Sequence, residues 1–129
     1  MSLRRFMQIV ENAQEGVSSD YLYHGTSKNK LGSIRIHGLI PSDDPKRSRF
    51  GASYRFHSAG RTFFTTSESK AEWYAKDLAP KSPVVLRVAK SAVPDLAEDM
   101  QDTDSWFTTS RIPVDAIEVL TSRGWKPLA

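Results

Sequence analysis

Tyr21-Leu22-Tyr23-His24-Gly25-Thr26-Ser27, followed by Leu31, Ile34 and Gly38-Leu39-Ile40-Pro41, is the stretch on which the fold turns. Tyr21-Leu22-Tyr23 is a short aromatic-rich run bounded by polar residues, as a first strand should be. Thr26 or Ser27 then stands where an N-cap belongs, and Leu31, Ile34 and Ile36 give an apolar face to a helix over residues 28–37. Gly38 fits the C′ position of that helix, and Pro41 forbids its continuation. Between strand and helix, His24 puts an imidazole at a strand end beside a glycine whose backbone a ligand can approach closely. The same pattern also describes a core histidine followed by a turn glycine, so the step has to be judged with its surroundings.

Working outward, Thr62-Phe63-Phe64-Thr65 is rich in β-formers and reads as a strand. Ser67 can cap the helix that follows, whose Ala71, Tyr74, Ala75 and Leu78 fall at helical spacing. Pro80 and Pro83 break the chain before Val84-Val85-Leu86-Arg87-Val88, a near-continuous apolar run that predicts a strand buried on both faces. Residues 92–102 form an acidic connection. Ser105-Trp106-Phe107-Thr108-Thr109 and Ala116-Ile117-Glu118-Val119-Leu120 are the last two strands, joined by a turn at Ile112-Pro113-Val114-Asp115. At the N-terminus, Leu3, Phe6, Met7 and Val10 recur at helical spacing. That predicts an amphipathic helix over 3–14, ended by Gly16, as an N-terminal unit of residues 1–16 ahead of one domain over 17–129. The order is helix, strand, helix, long loop, strand, helix and then three strands, which is an α+β pattern.

Composition narrows the function classes. A chain of 129 residues with 39% hydrophobic and 26% charged residues is long enough for one two-layer core and too ordered in composition for a disordered tail. No run reaches the ~18 apolar residues of a spanning helix, and Gln8, Glu11 and Asn12 interrupt any secretory h-region. We therefore expect no membrane association and a cytoplasmic location. Cysteine is absent, which excludes disulfides, thiol catalysis and cysteine-based zinc sites. His24, His37 and His57 lack metal-ligand spacing, so no metal is expected. No Gly-x-Ser-x-Gly elbow and no phosphate-binding glycine pattern occurs. The net charge is only +3, but Lys46, Arg47, Arg49, Arg55 and Arg61 fall within sixteen residues that contain no acid. With Phe50, Tyr54, Phe56 and His57 interleaved, that loop could clamp a pyrophosphate or a nucleic-acid strand, or could simply be solvated.

Taken together, the strand-His24-Gly25-Thr26-helix-Gly38-Leu39-Ile40-Pro41 order and the aromatic strand with its capped helix resemble the ADP-ribosyltransferase fold. That family includes poly-ADP-ribose polymerases, bacterial toxin and phage transferases, and RNA 2′-phosphotransferases. The resemblance covers roughly residues 21–120 and implies a split β-sheet with flanking helices. It implies NAD+ as co-substrate, a protein or nucleic-acid acceptor and a bacterial or phage source. Carried over by position, it gives His24 the ribose beside nicotinamide, the Gly25 backbone the carboxamide, and Phe63 the ring-stacking position usually held by a tyrosine. Thr26, Tyr74, Arg47, Arg49 and Arg61 complete the expected cofactor-binding set.

The family's third motif departs from the pattern. Transferases of this class usually carry a glutamate a few residues before an Ile-Pro-x-x-x-Ile-x-Val stretch, here Ile112-Pro113-Val114-Asp115-Ala116-Ile117-Glu118-Val119. Counting back places it at Ser105, flanked by Asp104, and no glutamate is there. The missing carboxylate would stabilise developing positive charge as nicotinamide leaves. Ser105 can hydrogen-bond a ribose without supplying charge, and Asp104 faces inward only if the strand register shifts. Glu118, the other acid on a strand, alternates with Ile117 and Val119 and is expected on the solvent face. The catalytic set read from the sequence is thus His24, Ser105 and Asp104. RNA 2′-phosphotransfer, which does not use the glutamate, and a degenerate ADP-ribose-binding or nucleotide-binding module are the alternatives.

Overall fold

A computed structural model describes residues 19–41, 60–100 and 102–129. The helix expected over 3–14 and the loop residues Arg47 and Arg49 lie outside the described residues. The described elements run β1 (Tyr21–Ser27), α1 (Lys28–His37), β2 (Thr62–Phe64), α2 (Glu68–Leu78), β3 (Pro83–Ala89), β4 (Ala97–Glu98), β5 (Trp106–Thr108), β6 (Ile117–Thr121) and β7 (Gly124–Pro127). The architecture is α+β, with two antiparallel sheets in strand orders β1-β3-β6-β7 and β2-β5-β4.

The two sheets meet at one point. Tyr23 and Thr65 exchange both backbone hydrogen bonds, at 2.8 and 2.9 Å, so β1 borders β2 through a single bridge. β3 has apolar cover on both faces, as its sequence predicts. Leu86 and Val88 join Leu22, Ile112 and Ile117 in the main core, whereas Val85 points the other way and packs with Ala71 and Ala75 of α2. Two alanines at helical spacing let α2 lie close against the strand.

α1 has the bounds that Ser27 and Gly38 predict. Ser27 is extended, with φ −120° and ψ 155°, and Gly38 leaves the helix at φ +76° while its N–H donates to the Ile34 carbonyl. A side chain at Gly38 would collide with the Ile112 carbonyl oxygen, so this exit needs glycine. Leu39 then pairs with Ile112, and Arg111 Nε donates to the His37 carbonyl at 2.7 Å, which ties off the helix end.

After α2 the chain forms five strands, not the three read from the sequence. β4 is a two-residue strand inside the acidic connection, pairing with β5. β7 follows a tight turn and adds a fourth strand beside β6. The turn at 112–115 becomes a short 3-10 helix, Val114–Ala116.

Candidate functional site

Alternation along β1 decides what each residue can do. Leu22, His24 and Thr26 share one face, and Tyr21, Tyr23 and Gly25 the other. Leu22 is fully buried, and His24 packs beside the core ring of Phe64 with centroids 5.9 Å apart. His24 Nδ1 lies 2.7 Å from the Phe63 carbonyl oxygen. A carbonyl only accepts, so Nδ1 carries a proton and donates it to this bond.

Gly25 has two reasons to be glycine. A Cβ there would fall 2.5 Å from the Ala71 carbonyl oxygen and 2.8 Å from the Ala75 nitrogen, so only glycine allows α2 to seat on β1. The second reason concerns its backbone. Tyr23 directs its N–H and C=O away from β3 toward Thr65, and in an antiparallel strand the direction repeats every second residue. Gly25 therefore points its N–H and C=O to that same side, where a continued ladder would pair it with Phe63. The ladder does not continue. The Phe63 carbonyl instead takes the His24 proton, and no protein group among the described residues pairs with the Gly25 backbone.

A cleft of about 970 Å³ opens here. Its walls include His24, Gly25, Thr26, Arg61 and Phe63, five of the residues singled out from the sequence. Phe64 is 3% exposed and belongs to the core, while its neighbour Phe63 lines the cleft. The Phe63 ring stands 5.9 Å from that of Phe107, over which the Arg61 guanidinium lies at 4.2 Å, a cation–π contact that orients the cationic side chain. The far end is formed by the start of α1 and the turn before β3, including Ser27, Asn29, Lys30 and Lys81. These last four were missed from the sequence. The available signal was a first helical turn, Lys28-Asn29-Lys30, with no acid in it. Among the described lining residues the charged ones are the cations Lys30, Arg61 and Lys81, with no carboxylate.

Ser105, Asp104 and Tyr74 do not line the cleft. Asp104 sits before β5 with φ +51°, a left-handed conformation that aspartate tolerates better than most residues. Its carboxylate accepts from Thr65 Oγ1 and Thr66 Oγ1, each at 2.6 Å, from the Thr66 N–H and from Trp106 Nε1. It thus fastens the end of β2 to the start of β5. Tyr74 is 37% exposed and reaches Asp102 at 3.2 Å. Glu118 is paired across the ladder with Arg87 at 2.9 Å, and the guanidinium is sandwiched between Tyr21 and Trp125.

Partial burial pushes the Asp104 carboxyl up, but the hydrogen bonds from Thr65, Thr66 and Trp106 together outweigh it and hold the group below its ordinary range. Asp95 behaves alike, with burial opposed by Thr108 and Ser110 hydroxyls at 2.6 and 2.7 Å. A carboxyl lowered in the folded state contributes stability that is complete above its unfolded value, about 3.9, and is lost as pH falls through the folded value. Asp104→Ala is expected to cost about 2 kcal/mol at pH 7, since the carboxylate's bonds from Thr65, Thr66 and Trp106 are lost at a partly exposed site. Urea unfolding at several pH values should show that difference shrinking below about pH 4. A difference independent of pH would contradict the assignment.

No protein-family model matches the chain, and no curated protein matches it either. Among the described residues no helix is long and apolar enough to cross a membrane, and no group of three or more metal-ligating side chains is assembled.

Proposed function

We propose that this cleft binds the nicotinamide-ribose end of NAD+ and that the domain transfers ADP-ribose to a protein or nucleic-acid acceptor, in the manner of the ADP-ribosyltransferases its sequence resembles. The observation that carries the reading is the Gly25 backbone, an N–H and a C=O held side by side with no partner among the described residues, next to His24. A primary carboxamide has the complementary pair, an oxygen to accept and an N–H to donate. The His24 imidazole, held in place through Nδ1 by the Phe63 carbonyl, stands on the ribose side of that carboxamide. The Phe63 ring offers a face to a planar heterocycle.

In transfer the bond between the ribose and the nicotinamide nitrogen breaks, nicotinamide departs with the electron pair, and an acceptor nucleophile bonds to the ribose carbon and loses its proton. The binding residues supply orientation. Negative charge at the reacting carbon would come from the third motif, and there the Asp104 carboxylate is engaged by Thr65 and Thr66. That observation favours a second reading, in which the cleft binds NAD+ or ADP-ribose without transferring it.

Incubation of the full chain with labelled NAD+ and a bacterial lysate separates the two. Transfer predicts label on a macromolecule and release of nicotinamide in equal amounts. Saturable NAD+ binding with neither release nor labelling would establish the binding module and refute transfer.

A further inference from the structure

The end of the cleft formed by α1 differs from the His24 end. Ser27 occupies the N-cap of this ten-residue helix, yet its hydroxyl makes no capping hydrogen bond, and the first turn carries no acid. The Lys28 N–H is spent on the Ser82 carbonyl at 2.9 Å. The next two N–H groups, of Asn29 and Lys30, have no protein acceptor among the described residues, and both residues line the cleft. A helix start with open N–H groups attracts anions through those donors and the helix dipole.

A second observation points independently to a ligand. Thr26 and Ser27 are 5% and 8% exposed, both line the cleft, and neither hydroxyl has a hydrogen-bond partner among the described residues. Buried hydroxyls are normally paired, because an unpaired one forfeits its hydrogen bonds to water. Thr26 and Ser27 stand at successive, alternating positions of β1, Lys30 and Lys81 join them in the lining, and no carboxylate is among the described lining residues, so this end of the cleft is rich in donors for an acceptor with several charged oxygens.

We infer that this end of the cleft is a phosphate site, formed by the Asn29 and Lys30 N–H groups, the Thr26 and Ser27 hydroxyls and the Lys30 and Lys81 side chains, and that it holds a phosphate or diphosphate of a nucleotide ligand. Thr26 follows His24 by two residues on the same face of β1, about 7 Å along the strand, the reach of one ribose 5′-phosphate unit. The nucleotide identity rests on the reading proposed above, whereas the phosphate site does not depend on it.

Amide chemical shifts of the full chain, titrated separately with inorganic pyrophosphate and with nicotinamide riboside, test both parts. Pyrophosphate is expected to move the Asn29 and Lys30 amides saturably, more weakly as salt rises. Lys30→Gln and Lys81→Gln each remove an exposed side chain and should weaken pyrophosphate about fivefold while leaving the rest of the spectrum in place. Unmoved Asn29 and Lys30 amides, or equal affinity in wild type and both variants, would overturn the phosphate site. Nicotinamide riboside should move the Gly25 amide instead. If it does not, while pyrophosphate still moves Asn29 and Lys30, the phosphate site stands and the nicotinamide reading falls.

Discussion

Gly25→Ala is expected to lower the Tm by about 12 °C. The added methyl carbon would lie 2.5 Å from the Ala71 carbonyl oxygen and 2.8 Å from the Ala75 nitrogen. Both are backbone atoms of α2, and a backbone cannot rotate aside as a flexible side chain can. Either α2 lifts from the sheet or β1 is displaced, and each disturbs the cluster of Ala71, Ala75 and Val85 with Tyr23 and Trp125 packed against it. Overpacking against fixed atoms falls at the upper end of the usual range, about 3 kcal/mol. For a domain of this size that corresponds to roughly 4 °C per kcal/mol. Differential scanning calorimetry checks it, and a fall of less than about 3 °C would mean that α2 does not seat on the strand as described.

His24→Ala is expected to weaken NAD+ binding by about thirtyfold to a hundredfold, with little change in thermal stability. Two effects add. On the proposed reading the ribose loses its imidazole partner, and the Phe63 carbonyl, relieved of the imidazole proton, stands opposite Gly25 where a continued ladder would place it. Closure of that ladder would occupy the Gly25 N–H with protein and remove it from the ligand. Each effect is worth about 1 to 1.5 kcal/mol, and together they give the stated range. Closure also replaces the lost interstrand bond, so stability is conserved. Calorimetric titration with NAD+ decides the point. An affinity within threefold of wild type would show that His24 neither contacts the ligand nor guards the strand edge.

Much of the β1–α1 unit was legible because its signals are local. Gly38 and Pro41 stop α1, and Ser67 caps α2 by accepting from the Lys70 N–H at 3.2 Å. The apolar run 84–88 announced a strand with two covered faces. The missed strands carry little local signal. β4 has only two residues, and β7 contains Lys126 and Pro127, which suit an edge strand and not a core one. What the sequence could not disclose depends on contacts between distant residues. The need for glycine at position 25 comes from a helix nearly fifty residues away. Asp104 reads as a stand-in for a missing acid until its partners Thr65 and Thr66, 39 and 38 residues earlier, are seen to hold it. Local sequence pattern does not separate Phe63 from Phe64; the resemblance picks Phe63, and the sheet puts Phe63 in the cleft wall and Phe64 in the core. Ser27 reads in sequence as one of two candidate caps, yet its hydroxyl does not cap the helix.

The proposed function rests on what the Gly25 backbone meets when ligand enters. A crystal structure of the full chain soaked with NAD+ measures that directly. The expected result is a carboxamide within hydrogen-bonding distance of both the Gly25 N–H and C=O, with a ribose hydroxyl on His24 Nε2. The dinucleotide bound away from this cleft, or bound within it with its carboxamide away from Gly25, would contradict the reading.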